Sequence, residues 1–131
     1  MNSLSPILWT KNLNETISFY ETVLGFKGER NFPDFVSLTS GHVEIMFIVP
    51  QPEPEECDAE DQGVFFPKPG LTGSIFIRTD RVDELWKSIQ GKTLIKTPLA
   101  NRSYFMRDFS ILDNNGYELV FGQPIDCTRA G

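Results

Sequence analysis

Ile7-Leu8-Trp9-Thr10-Lys11-Asn12 and Ile75-Phe76-Ile77-Arg78-Thr79-Asp80 are two versions of one stretch. Each is an apolar-rich strand text that ends in an Asx residue fit to cap a helix. The first runs on into Leu13, Ile17, Tyr20 and Leu24, and the second into Val82, Leu85, Trp86 and Ile89, both at helical spacing. Each helix text stops at a glycine and continues as strands. A repeat of this kind exposes a hydrophobic face that one copy cannot bury alone. Two copies sharing a sheet create a concavity, and that is where binding or chemistry would sit.

Working outward, the first copy reads as a strand over 5–11 and a capping box at Asn12-x-x-Glu15. A helix then runs to about Leu24, with Gly25 as a left-handed C-cap. Phe26–Asn31, Phe35–Thr39 and His42–Val49 follow as strands, with turns at Pro33-Asp34 and Ser40-Gly41. The second copy gives a strand over 73–79, a cap at Asp80-x-x-Asp83 and a helix that stops before Gly91. Its remaining strands are Thr93–Thr97, Phe105–Leu112 and Tyr117–Phe121, and Asp113-Asn114-Asn115-Gly116 is a hairpin signal of the Asn-Gly type. Repeat one thus covers 5–49, an acidic linker 50–72, repeat two 73–122 and a loose tail 123–131, within a single domain of 131 residues. A chain of this size buries roughly two thirds of its unfolded surface.

The formal net charge of −6 has a local origin. Glu53, Glu55, Glu56, Asp58, Glu60 and Asp61 lie in the linker with no base among them, and without them acids and bases are equal in number. There is no basic patch for nucleic acid and no apolar run of about 18 residues to span a membrane. Met1–Pro6 lacks the basic start and apolar core of a signal peptide. Cys57 and Cys127, in polar segments, read as reduced thiols of a cytoplasmic protein. Phe65-Phe66 in the linker either packs back on its own sheet or lids a cavity or partner subunit.

Thr16-Ile17-Ser18-Phe19-Tyr20 … Val23-Leu24-Gly25-Phe26 and the closing Asp113-Asn114-Asn115-Gly116-Tyr117-Glu118-Leu119, set in a doubled βαβββ pattern, resemble the vicinal-oxygen-chelate superfamily. That superfamily includes glyoxalase I, extradiol dioxygenases, fosfomycin-resistance transferases and bleomycin-resistance binding proteins. The resemblance covers roughly residues 5–122. It implies an α+β fold in which two βαβββ repeats form a cupped, mostly antiparallel eight-stranded sheet with helices on the outer face. The superfamily's enzymes hold a divalent metal with one ligand from each of four strands. The matching positions here are Ser5, Glu44, Ser74 and Val120, of which only Glu44 is a good ligand. A single histidine, His42, also argues against a two-histidine iron site.

Strand alternation estimates the lining of the cup. Ser5, Ile7, Trp9 and, at the strand's end, Lys11 point in from the first strand, His42, Glu44, Met46 and Ile48 from the fourth, and Ser74, Phe76 and Arg78 from the fifth. Met106, Asp108 and Ser110 are favoured on the seventh strand by analogy with the fosfomycin enzymes, leaving Phe105, Phe109 and Ile111 for the core; Glu118 and Val120 complete the eighth. The candidate ligand-binding residues are therefore Trp9, His42, Glu44, Met46, Phe76, Arg78, Asp108, Ser110 and Glu118. Bland roles compete with each: Trp9 as core or dimer interface, His42 as a rim residue, and Arg78 and Asp108 as partners of each other or of Glu44 and Glu118. A largely buried Glu44 should have a raised pKa or a cationic neighbour.

The leading expectation is a metal-free, cofactor-free binding protein close to the bleomycin-resistance branch. It would hold a small aromatic or amphipathic ligand in a homodimeric groove and act by sequestration or antibiotic resistance. The alternative is a lyase, isomerase or transferase with Glu44 as base, or with Glu44, Asp108 and Glu118 as an oxygen-only metal site.

Overall fold

The computed structural model describes residues 1–50 and 73–125. The acidic run, Phe65-Phe66, Cys57 and Cys127 lie outside the described residues. The chain divides into two compact units, Met1–Gly70 and Leu71–Gly131, one for each repeat.

In the first unit the order is β1 (Ile7–Trp9), α1 (Leu13–Thr22), β2 (Lys27–Phe32), β3 (Phe35–Ser40) and β4 (Val43–Ile48). The strands form one sheet in the order β1-β4-β3-β2. β1 runs parallel to β4 in the register Ile7↔Met46 and Trp9↔Ile48, and the other pairings are antiparallel. Parallel neighbours need a crossover between them, and α1 with its two following strands fills that role. α1 packs across β2 and β3, burying Leu13, Thr16 and Tyr20 against Val36, Leu38, Ile45 and Phe47. Tyr20 is the centre of that contact: its ring meets Phe26 and Phe47 edge-on at 5.5 and 5.3 Å.

The second unit repeats the plan with β5 (Ile75–Arg78), α2 (Val82–Ile89), β6 (Leu94–Asn101), β7 (Met106–Leu112) and β8 (Glu118–Pro124). Its sheet order is β5-β8-β7-β6, again with one parallel pair, β5 and β8. Val82 and Ile89 are fully buried, and Trp86 rests on Phe109, which stacks on Phe121 at 5.4 Å. Burying a side chain of this size is worth about 1.5–3 kcal/mol. The exposed Arg81–Glu84 pair at 3.4 Å is worth about 0–1 kcal/mol. Apolar burial therefore seats α2, and the surface charges do not. No helix among the described residues is long and apolar enough to cross a membrane.

Several local expectations are corrected. β6 runs through Pro98 to Asn101, past its expected end at Thr97, because β6 is an edge strand and can forgo one amide donor. β8 continues to Pro124, taking two residues from the expected tail. His42 falls in the β3–β4 turn, since β4 begins at Val43. The Asn114-Asn115-Gly116 turn has positive φ at Gly116 alone. It is held by Asp113, whose Oδ1 accepts from the amides of Asn115 and Tyr117 at 2.9 Å each. Phe105 does not reach the core: it precedes β7, has φ 61° and is 51% exposed.

The two caps also differ. Asn12 accepts from the Glu15 amide at 3.0 Å, as expected. The N-cap of α2 is Arg81, not Asp80, and among the described residues no side chain of the cap itself closes that helix end. Gln123 of β8 does so instead, accepting from the Val82 amide at 3.2 Å. Asn12→Ala and Gln123→Ala should each cost about 1 kcal/mol, while Asp80→Ala should stay within roughly ±0.5 kcal/mol. Urea denaturation of the three variants measures this; an Asp80→Ala loss equal to that of Gln123→Ala would contradict the capping described.

Candidate functional site

Each sheet carries its helix on one face, so alternation sends every second residue to the other. In the first unit that other face holds Ile7, Trp9, Ser37, Glu44 and Met46. Ile7 and Trp9 are 56% and 45% exposed. Glu44 is half-buried, and both of its oxygens accept hydroxyl hydrogen bonds: Oε1 from Ser5 at 2.7 Å and Oε2 from Ser37 at 2.5 Å. Ser37 reaches Glu44 because β3 pairs with β4 and sets Ser37 opposite Met46, next to Glu44 on the same face. The two hydroxyls, Ser37 more than Ser5, hold the carboxyl below its usual pKa against a smaller opposing effect of burial. A raised pKa or a cationic neighbour was expected of a largely buried Glu44; the residue is half-buried and its pKa is lowered instead. Donation to the charged form stabilises the carboxylate and makes Glu44 a weak base.

The second unit aligns Phe76, Val120, Ser110 and Thr97 across β5, β8, β7 and β6 by register. A cavity of about 280 Å³ is lined there by Thr97, Arg102, Tyr104, Asp108, Ser110, Glu118 and Val120. It gathers three of the sequence-derived candidates, Asp108, Ser110 and Glu118, with two residues that the sequence reading missed, Arg102 and Tyr104. Both come from the turn joining β6 to β7, which folds back over β7. Arg102 Nε donates to Asp108 Oδ1 at 2.8 Å, and its Nη2 donates to the carbonyls of Pro98 and Asp108. The Tyr104 hydroxyl donates to Asp108 Oδ2 at 2.7 Å. This donation, with burial and the Asp108 charge adding and Arg102 opposing, raises the phenol's pKa. Asp108 is thereby 4% exposed yet fully paired, as a buried carboxylate must be. Glu118 pairs with Lys96 at 3.0 Å.

The partners of Asp108 and Glu118 are thus Arg102 and Lys96, not Arg78 or each other. Arg78 is exposed on β5, and among the described residues it has no ion pair. Phe76, 47% exposed, lies over β8 where Gly122 leaves room: a Cβ there would stand 2.6 Å from the Phe76 ring and 3.1 Å from Met106. Met46 is half-buried, and His42 and Ser74 are exposed.

The donor set does not fit a divalent metal at the superfamily's positions. Ser5 spends its hydroxyl on Glu44, Glu44 has both oxygens engaged, and Val120 has no donor atom. Serine hydroxyls are weak neutral ligands, and a transition ion needs about three good ones. Asp108 and Glu118 would have to give up Arg102 and Lys96 to serve an oxygen-only site. Among the described residues no three of His, Cys, Asp and Glu are grouped to hold a metal.

The Glu44 cluster has a pH signature. A carboxyl with a lowered folded-state pKa contributes stability above its unfolded value, about 4.3, and loses it as pH falls through the folded value. Ser37→Ala should raise the Glu44 pKa, seen by carbon-detected NMR titration. It should also destabilise the protein at pH 7 by an amount that vanishes below the folded pKa. An unchanged Glu44 titration in the variant would contradict the hydrogen-bond account.

Comparison with known proteins places this geometry in context. The family model described as "Glyoxalase/Bleomycin resistance protein/Dioxygenase superfamily" matches residues 3–121. An uncharacterized protein of Mycolicibacterium smegmatis is 34% identical over 122 residues, covering 91% of this chain and 90% of that one. TioX from Micromonospora sp. ML1 shares the fold with a TM-score of 0.73 at 16% identity, covering 95% of this chain and 100% of that one. A glyoxalase/bleomycin resistance protein/dioxygenase from Alicyclobacillus acidocaldarius does so with a TM-score of 0.70 at 20% identity, covering 95% and 92%. A family model spanning nearly the whole chain, on the doubled βαβββ plan, makes this chain a member of the glyoxalase/bleomycin-resistance/dioxygenase superfamily.

Proposed function

We propose that the protein binds a small aromatic or amphipathic molecule without a metal and acts by holding it, in the manner of a sequestration or resistance protein. The observation that carries this reading is the cavity of about 280 Å³, in which Val120 and the Tyr104 ring offer apolar surface among the polar groups of Thr97, Arg102, Asp108, Ser110 and Glu118, so that convergent polar groups can orient a small molecule. Phe76 in one unit and Trp9 in the other each offer an exposed ring on the face away from the helix. The donor set described above favours recognition over Lewis-acid chemistry. The alternative with Glu44 as general base draws no support from its surroundings, because two hydroxyl donors weaken it as a base.

The test is a thermal-shift panel of aromatic antibiotics, glutathione adducts and keto acids, run with and without chelator. A ligand at 100 times its Kd stabilises by about 2.7 kcal/mol. At least one aromatic or amphipathic compound should raise the melting temperature by several degrees, unchanged by the chelator. Failure of every compound, or about one equivalent of tightly held Zn, Ni, Mn or Fe in the purified protein, would overturn the reading.

The same reading includes a two-fold homodimer. Phe32 and Leu94, 65% and 72% exposed on the edge strands β2 and β6, support it. Light scattering at micromolar concentration should return twice the 14.9 kDa chain mass; a monomer would contradict the dimer.

A further inference from the structure

Ser110 is out of place as a purely structural residue. It sits mid-strand on β7, is 2% exposed, and among the described residues its hydroxyl has no hydrogen-bond partner. A buried hydroxyl without a partner is a net cost, and alanine would fill the same position without it. Yet Ser110 lines the cavity, paired across the sheet with Val120 on one side and Thr97 on the other. Serine turns among three staggered positions at low cost, so the hydroxyl can be presented to a ligand on the cavity side.

The charges around it restrict what that ligand can be. Arg102 is the cation of the lining, and Asp108 neutralises it at 2.8 Å. Glu118 is neutralised by Lys96 at 3.0 Å. Inside the lining an incoming anion would meet two carboxylates and an arginine already spent on one of them; Arg78, exposed on the same face as Phe76, is not among the lining residues. An incoming cation would have to compete with Arg102 and Lys96 for acids they already hold. Tyr104, by donating to Asp108, keeps its oxygen lone pairs as acceptors, and Ser110 can both donate and accept. Such a lining matches a group that itself gives and takes hydrogen bonds without charge. Phe76 pairs with Val120 on the neighbouring strand and supplies apolar surface next to it.

We propose that the cavity is a head-group subsite in which Ser110 hydrogen-bonds an uncharged hydroxyl or carboxamide of the ligand, whose aromatic or apolar body packs toward Phe76. This deepens the binding function proposed above and rests on it.

The experiment uses three probes of nearly one shape: phenylacetamide, phenylacetate and phenethylamine, neutral, anionic and cationic at pH 7. Binding to the full chain is followed by amide NMR shifts of Thr97, Ser110, Glu118 and Val120. Phenylacetamide should perturb these amides and bind at least about fivefold more tightly than either charged probe. Ser110→Ala should weaken phenylacetamide binding about tenfold, the loss of one or two neutral hydrogen bonds. It should leave phenylacetate unchanged and melt no lower than the wild type. Ser110→Cys, which keeps the size but only a weak donor, should bind as poorly as alanine and controls for folding. Equal or tighter binding of a charged probe, an unaltered Ser110→Ala variant, or no shift at these amides would overturn the subsite. If panel compounds still stabilise the protein under those outcomes, the subsite fails and the binding function stands. If nothing binds anywhere, both fall.

Discussion

One helix on four strands covers one face of a sheet, and everything chemical in this protein follows from that shortage. Tyr20 in the first unit, and Trp86 on Phe109 in the second, draw the available apolar residues to the helix side. Alternation along each strand then forces the intervening residues to the other side, where core packing does not dictate their type. Serines, carboxylates and exposed rings collect there: Ser37 and Glu44 on the face that carries Trp9, and Asp108 and Ser110 on the face that carries Phe76. The fold generates sites without specifying a reaction, which is why one scaffold carries unrelated chemistries.

The two faces have been settled differently in the two repeats. In the first, the Glu44 carboxylate is satisfied by neutral hydroxyls, which fix it as an anion without cancelling its charge. In the second, each carboxylate of the cavity lining is cancelled by a base, so the polar groups left over in that lining are uncharged. A transition ion would need donors that are free, and here most are engaged.

The repeat, the order of elements and the helix-facing core were legible because period and alternation are local properties. Leu13, Tyr20, Val82 and Ile89 were expected inside at helical spacing, and the structure buries them. The lining of the cavity was legible only where it lay within a strand, as at Asp108, Ser110 and Glu118. Arg102 and Tyr104 were missed because the strand was expected to end at Thr97, which left the segment from Pro98 to Tyr104 without a predicted direction. Ser37 was missed because its role depends on register: nothing in Phe35-Val36-Ser37 states which residue of β4 it will meet. Phe105 was given to the core by alternation with Phe109 and Ile111, and the tight turn in which its φ is 61° is invisible to periodicity. The cap at Gln123 lies 41 positions from the amide it serves, beyond any local motif.

The parallel pairing of first and last strands in each repeat sets an order on biosynthesis. β1 emerges from the ribosome early but has no partner until Met46 to Ile48 follow it. Contacts of such sequence separation are slow to form, since loop closure precedes any gain. Once residue 48 is out, however, the first sheet has all four of its strands, and nothing in its hydrogen-bonded ladder waits for the second. The nascent chain can therefore pair all four strands of one half while the other is still being made, which shortens the time that its strand edges spend unpaired.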